Sequence, residues 1–187
     1  MERFIADAAA HYGWLNILVD SAGSTAQGAF EDATDEVWQY DLNVKLLAQV
    51  RTARAAIPHM RRQGGGRIIN ITMAGGKQPH AASFPTSVSR AAGLAFTKAL
   101  SKEVACDNIL VNADALGWIK SRQQELRAQQ FGLGIDEHYE RLSARVTLGR
   151  LEEPAEVAPV ILFLASELAS YVTGACINVD GGSAGVL

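Results

Sequence analysis

The chain has 187 residues, 48% hydrophobic and 20% charged, with a formal net charge of −3; this is an ordinary globular composition of one-domain size, able to bury roughly 70% of its unfolded surface. No basic surface is available for nucleic acid, and no apolar run reaches the roughly 18 residues that span a bilayer. The opening MERFIADAAAHYG carries no signal-peptide pattern, so the cytoplasm is the expected compartment. Cys106 and Cys176 belong to no C-x-x-C or Cys/His cluster, so neither a disulfide framework nor a metal site is expected.

Taken in order, residues 3–11 have helical propensity and Gly13 stops them before a short apolar strand at 16–19. Asp20-Ser21-Ala22-Gly23 turns out of that strand, the Asp20 carboxylate being suited to cap or turn the chain. Residues 32–38 read as a short helix. Leu42, Leu46, Val50, Ala53, Ile57 and Met60 mark one face of a long helix over about 41–62, with Pro58 in its last turn. The glycine run Gly64-Gly65-Gly66 precedes the β-branched strand at 67–72 instead of following one, so it is a loop and no phosphate cradle. Beyond Ala74-Gly75-Gly76 and KQPHAASFP, a second long helix over about 86–104 carries Val88, Ala91, Ala92, Ala95, Phe96, Ala99 and Leu100 at helical spacing.

A strand at 109–112 leads through Leu116-Gly117 to Trp118-Ile119-Lys120-Ser121. Residues 122–145 are polar and helical in two pieces, broken at Gly132-Leu133-Gly134. His138 and Tyr139 lie in the second piece, where an exposed helix face accounts for both and proton donation is the other reading. Glu152-Glu153-Pro154 opens a helix through Ser166, its carboxylates at the positive end. A last strand, 176–179, turns out at Asp180-Gly181-Gly182. The strands are continuous apolar runs, as in a parallel sheet covered on both faces.

The blocks ILVDSAG (17–23), Asn43, GRIINIT (66–72), TSVSRAAG (86–93), ILVNADALGWI (109–119), GRLEEPAEVA (149–158), FLAS (163–166) and YVTG with INVDGG (171–182) resemble the short-chain dehydrogenase/reductases across nearly the whole chain. The resemblance implies an α/β fold, a partial Rossmann-like doubly wound parallel sheet. It implies one domain over 1–187 without the family's first strands and glycine-rich turn, with a variable substrate lobe over about 120–148. The implied function is NAD- or NADP-dependent oxidoreduction of a small carbonyl or alcohol substrate. The implied assembly is a homodimer or homotetramer paired through the two long helices.

Carried over by position, the family's Ser-Tyr-Lys set falls on Met73, Thr86 and Arg90, and its assisting asparagine on Asn43. Cofactor contacts fall on Ala22, Gly23, Arg90, Gly117, Ile119 and Ser121. The replacements bear directly on proton transfer. A phenol has a reference pKa of about 10, which a nearby cation lowers toward a working range; a threonine hydroxyl does not ionise there. Arg90 keeps the positive charge, while Met73 trades a hydroxyl for a polarizable apolar side chain. With the glycine-rich turn absent, weak NAD(P) binding and weak or lost turnover are expected, the alternative being a non-catalytic binding or oligomerisation subunit.

Overall fold

A computed structural model describes residues 2–24 and 26–187. The amphipathic opening forms α1 (Glu2–Tyr12), which ends at Gly13 in a left-handed conformation, φ +76°. Strand β1 (Ile17–Asp20) is followed by the two-residue β2 (Gln27–Gly28). Helix α2 (Asp35–Leu42), whose N–H of Val37 donates to the Thr34 hydroxyl, runs without a break through a π-helical turn (Asn43–Leu47) into α3 (Ala48–Arg62). Strand β3 (Gly66–Met73), the short β4 (Phe84–Pro85) and helix α4 (Thr86–Glu103) follow. Strand β5 (Ile109–Leu116) leads to α5 (Arg122–Gln130) and α6 (Ile135–Ser143), and the chain closes with α7 (Pro154–Ala165) and β6 (Cys176–Val179).

Four strands pair in parallel in the order β1-β3-β5-β6, while β2 and β4 form a separate antiparallel pair with Gln27 opposite Pro85. The two-residue alternation of a strand divides the core into two halves. Ile68, Ile109 and Val111 join Ile5, Leu18, Ile57 and Met60 under α1, α3 and α4. Ile69 and Ile71 face Leu164 and Ala169 on the α7 side.

Strands β1 and β6 are the two sheet edges among the described residues. Helix α1 does not cover the far face of β1: Ile5 packs with Leu18, leaving Ile17 and Val19 exposed. The expected strand at 109–112 continues to Leu116, because β5 pairs with β3 along its full length and with β6 over its last four residues. The long helix is also corrected. Its expected apolar face at Leu42, Leu46 and Val50 is only half-buried, whereas Asp41, Lys45, Gln49 and Thr52 are buried. The π turn accounts for this shift, since its extra residue rotates the inward face relative to a regular 3.6-residue helix.

Candidate active site

Where the C-terminal ends of β3 and β5 meet the first turn of α4 and the start of α5, the chain encloses a cavity of about 700 Å³. Met73, Thr86 and Arg90 all line it, as do Gly23, Gly117, Ile119 and Ser121. Asn43 does not. Its side-chain amide donates to the Gln39 carbonyl at 2.8 Å and its oxygen accepts from Arg51 at 3.3 Å, both along its own helix. Ala22 is exposed and lies outside the cavity wall.

The residue that the π turn sends into the cavity is Lys45, two positions after Asn43. Its ammonium is fully buried, ion-paired with the equally buried Asp41, and donates to the Thr86 hydroxyl at 2.7 Å. Ser89, one turn into α4, donates to the other Asp41 oxygen at 2.5 Å. The result is a closed polar cluster joining the π turn to the start of α4. Burial lowers the Lys45 pKa from its ordinary value; pairing with Asp41 opposes that shift, and the charges of Arg90 and Arg127 add to it. Sequence reasoning missed both Lys45 and Asp41. The available signal was the polar series Asp41, Lys45, Gln49, Thr52 at spacings of four, four and three.

Arg90 reaches from α4 to the Ile71 carbonyl at 2.8 Å, and its buried Nε has no partner. A side chain at Gly23 would place Cβ 2.7 Å from Nη2 of Arg90, so glycine lets the guanidinium lie against the turn after β1. Gln27 donates to the Met73 sulfur at 3.9 Å and accepts from Arg127 of α5 at 2.8 Å, drawing the lobe onto the end of β3. Trp118 stacks under the Arg145 guanidinium, 4.9 Å from the ring centroid.

Neither His138 nor Tyr139 lines the cavity. His138 is not on an exposed face: it is buried, with Nε2 bonded to Gln124 at 3.1 Å. Asp20 turns away from the cavity, accepting from the Thr52 hydroxyl at 2.9 and 2.8 Å, and burial pushes its pKa up to about 6. Beneath the cavity rim, Asp114 is fully buried with neither carboxylate oxygen bonded. Burial raises it to about 6, and Glu152 beside it rises to about 7, first through burial and then through the charge of Asp114.

A nicotinamide dinucleotide can be tested against these groups by their chemistry. The cavity wall carries Lys45, Arg90, Arg122, Arg127 and Arg145 but no carboxylate, and the Ser121 hydroxyl at its edge makes no hydrogen bond among the described residues. A polyanionic cofactor with a carboxamide fits that donor set.

Residues 1–184 match a family model described as enoyl-(acyl carrier protein) reductase. The chain is 35% identical over 185 residues to the putative ketoacyl reductase of the monensin polyketide synthase from Streptomyces virginiae, covering 96% of this chain and 71% of the relative. It is 35% identical over 171 residues to 3-oxoacyl-(acyl-carrier-protein) reductase FabG of Thermotoga maritima, covering 91% and 67%. Human dehydrogenase/reductase SDR family member 4 is 34% identical over 184 residues, covering 97% and 64%. Among solved structures, a variant actinorhodin polyketide ketoreductase with NADPH superposes with a TM-score of 0.91 at 32% identity, covering 99% of this chain and 73% of that one.

Proposed function

Because the chain belongs to the short-chain dehydrogenase/reductase family, we propose that its cavity serves NAD(P)-dependent interconversion of a carbonyl and an alcohol, with the proton supplied by Lys45 through Thr86. The observation that carries this reading is the 2.7 Å hydrogen bond from the Lys45 ammonium to the Thr86 hydroxyl in the cavity wall. A lysine ammonium, with a reference pKa of about 10.4, matches the roughly 10 of a tyrosine phenol. The acid strength missing from Thr86 is therefore present one bond away. Burial and the Arg90 and Arg127 charges move that ammonium further toward the working range of a general acid.

When bound, the reduced nicotinamide supplies the hydride. Arg90 and Gly23 would hold its ribose side, and Gly117, Ile119 and Ser121 would meet its carboxamide. The Thr86 hydroxyl, which here donates to Asp41 at 3.3 Å, would turn to the substrate oxygen and pass it a proton while accepting one from Lys45, whose ammonium Asp41 keeps in place. Turnover is slow, because the relay needs two proton movements where a phenol needs one and Met73 offers no second hydroxyl to the substrate oxygen.

Oxidation of NADPH by the 187-residue chain, followed with a panel of small ketones and aldehydes, tests this. Lys45→Met is expected to lower kcat by about 10²-fold or more, the usual contribution of a positioned acid, and to abolish the upper limb of the pH profile. An unchanged rate in that variant would remove Lys45 from the mechanism. A wild-type chain that oxidises no NADPH would favour the second reading, a non-catalytic binding or oligomerisation subunit, which Met73 and Thr86 support.

A further inference from the structure

The cavity has a charge balance that the chain as a whole does not. The sequence holds 20 acidic and 17 basic residues, yet the five charged side chains in the cavity wall are all basic. Two are accounted for near the rim. Arg122 pairs with Glu125 at 2.8 Å, and Arg145 lies over Trp118. The other three gather at the floor around Thr86. Lys45 bonds the Thr86 hydroxyl, and Arg90 lies one turn along α4. Arg127 is held over the end of β3 by Gln27, whose strand partner Pro85 immediately precedes Thr86.

Among the described residues only one carboxylate, Asp41, serves these three cations. The guanidinium partners of Arg90 and Arg127 are the Ile71 carbonyl and the Gln27 amide oxygen, both neutral. Like charges brought together in a partly desolvated site repel more strongly than in water. Here the repulsion registers on Lys45, whose affinity for its proton both arginines reduce after burial has done so. The buried Nε of Arg90 adds a donor without an acceptor. An anion entering the cavity offsets the like charges, and a planar oxyanion matches the guanidinium fork.

The geometry points to an anion-binding subsite at the cavity floor, formed by Arg127 near Thr86 in the field of Arg90 and the buried Lys45, that takes the carboxylate or phosphate of a small carbonyl substrate. This rests on the reading of the cavity as a carbonyl–alcohol site, and it narrows the substrate to an oxo compound carrying an oxyanion within a few bonds of its carbonyl. Arg127 is the specificity-determining residue: it comes from the lobe, and its charge meets no carboxylate among the described residues.

The test is a calorimetric titration of the intact chain with oxalate and with inorganic phosphate, at low and high salt and without cofactor. Saturable binding that weakens with salt is expected. It falls about tenfold or more in Arg127→Gln, as for loss of a hydrogen bond to a charged group, is retained in Arg127→Lys, and is unchanged in Arg141→Gln, a surface control. No saturable binding to the wild-type chain at millimolar anion would overturn the proposal, and so would equal loss in the Gln and Lys variants, which would reduce Arg127 to a structural tie. A final arm adds NADPH. Oxalate binding that persists assigns the subsite to substrate, whereas mutual displacement assigns its anion to the cofactor phosphates and overturns the substrate claim. Failure of the reductase reading leaves these cofactor-free isotherms unaltered, so the two outcomes are separable.

Discussion

At the scale of single residues, the chain places ionisable groups in two buried settings with opposite outcomes. Asp41 is fully enclosed, yet Lys45, Ser89 and Thr86 occupy its oxygens; a buried charge is tolerable when paired and hydrogen-bonded. Asp114 is equally enclosed and has no bonded oxygen, so its proton is retained up to about pH 6. A carboxyl whose folded pKa lies above its ordinary value of 3.8 binds protons more tightly in the fold than in the unfolded chain. Its contribution to stability is fully present below pH 4 and is lost as pH rises through about 6, with Glu152 extending the decline to about 7. Asp114→Asn is expected to raise stability at pH 8 by on the order of 2 kcal/mol and by little at pH 4. Urea denaturation at the two pH values measures it, and an equal gain at both would show that the carboxylate charge is not the cause.

At the scale of elements, the cavity depends on how closely β5 and β6 hold their C-terminal turns. Gly117 donates its N–H to the Val179 carbonyl at 2.8 Å, and a Cβ there would lie 2.6 Å from the Asp180 Cα. The obstacle is backbone, so the two turns must part to accept a methyl group. Gly117→Ala is expected to cost about 1–3 kcal/mol, as overpacking does, and to displace Trp118 and Ile119 from the rim. Thermal unfolding together with the Trp118 fluorescence maximum checks both effects; a stability change without a spectral shift would place the strain elsewhere.

The elements themselves were largely legible in the sequence, because helix and strand periodicities are local. The break at residues 132–134, the last strand and the helix opening at Pro154 all stand where the pattern put them. The phase of the long helix was legible from Ala53 onward, where Ala53, Ile57 and Met60 are buried, and not over Leu42, Leu46 and Val50. A π turn changes which side of a helix faces inward without a distinctive composition, so the inward-facing Lys45 gave no signal, while Asn43, placed by resemblance, lies outside the cavity wall.

At the scale of the whole molecule, the described chain leaves β1 as an unpaired edge and α4 with small residues, Ala95 and Ala99, exposed beside Val88. No helix among the described residues is long and apolar enough to cross a membrane. Close approach of a second copy along α3 and α4 is the expected use of that small-residue face, giving a closed even-numbered assembly. Light scattering across a range of protein concentrations tests this, with a monomer at every concentration as the contrary result.

Residue order and identity were enough for the α/β class and for the family, and the family resemblance implies that Thr86 and Met73 stand where a phenol and a hydroxyl are expected. Which charged groups gather around Thr86 was left to the folded chain. Lys45 and Thr86 are 41 positions apart, and Arg127 reaches Gln27 across 100. Charges so distant in the chain become a single electrostatic site only when the fold removes the water between them.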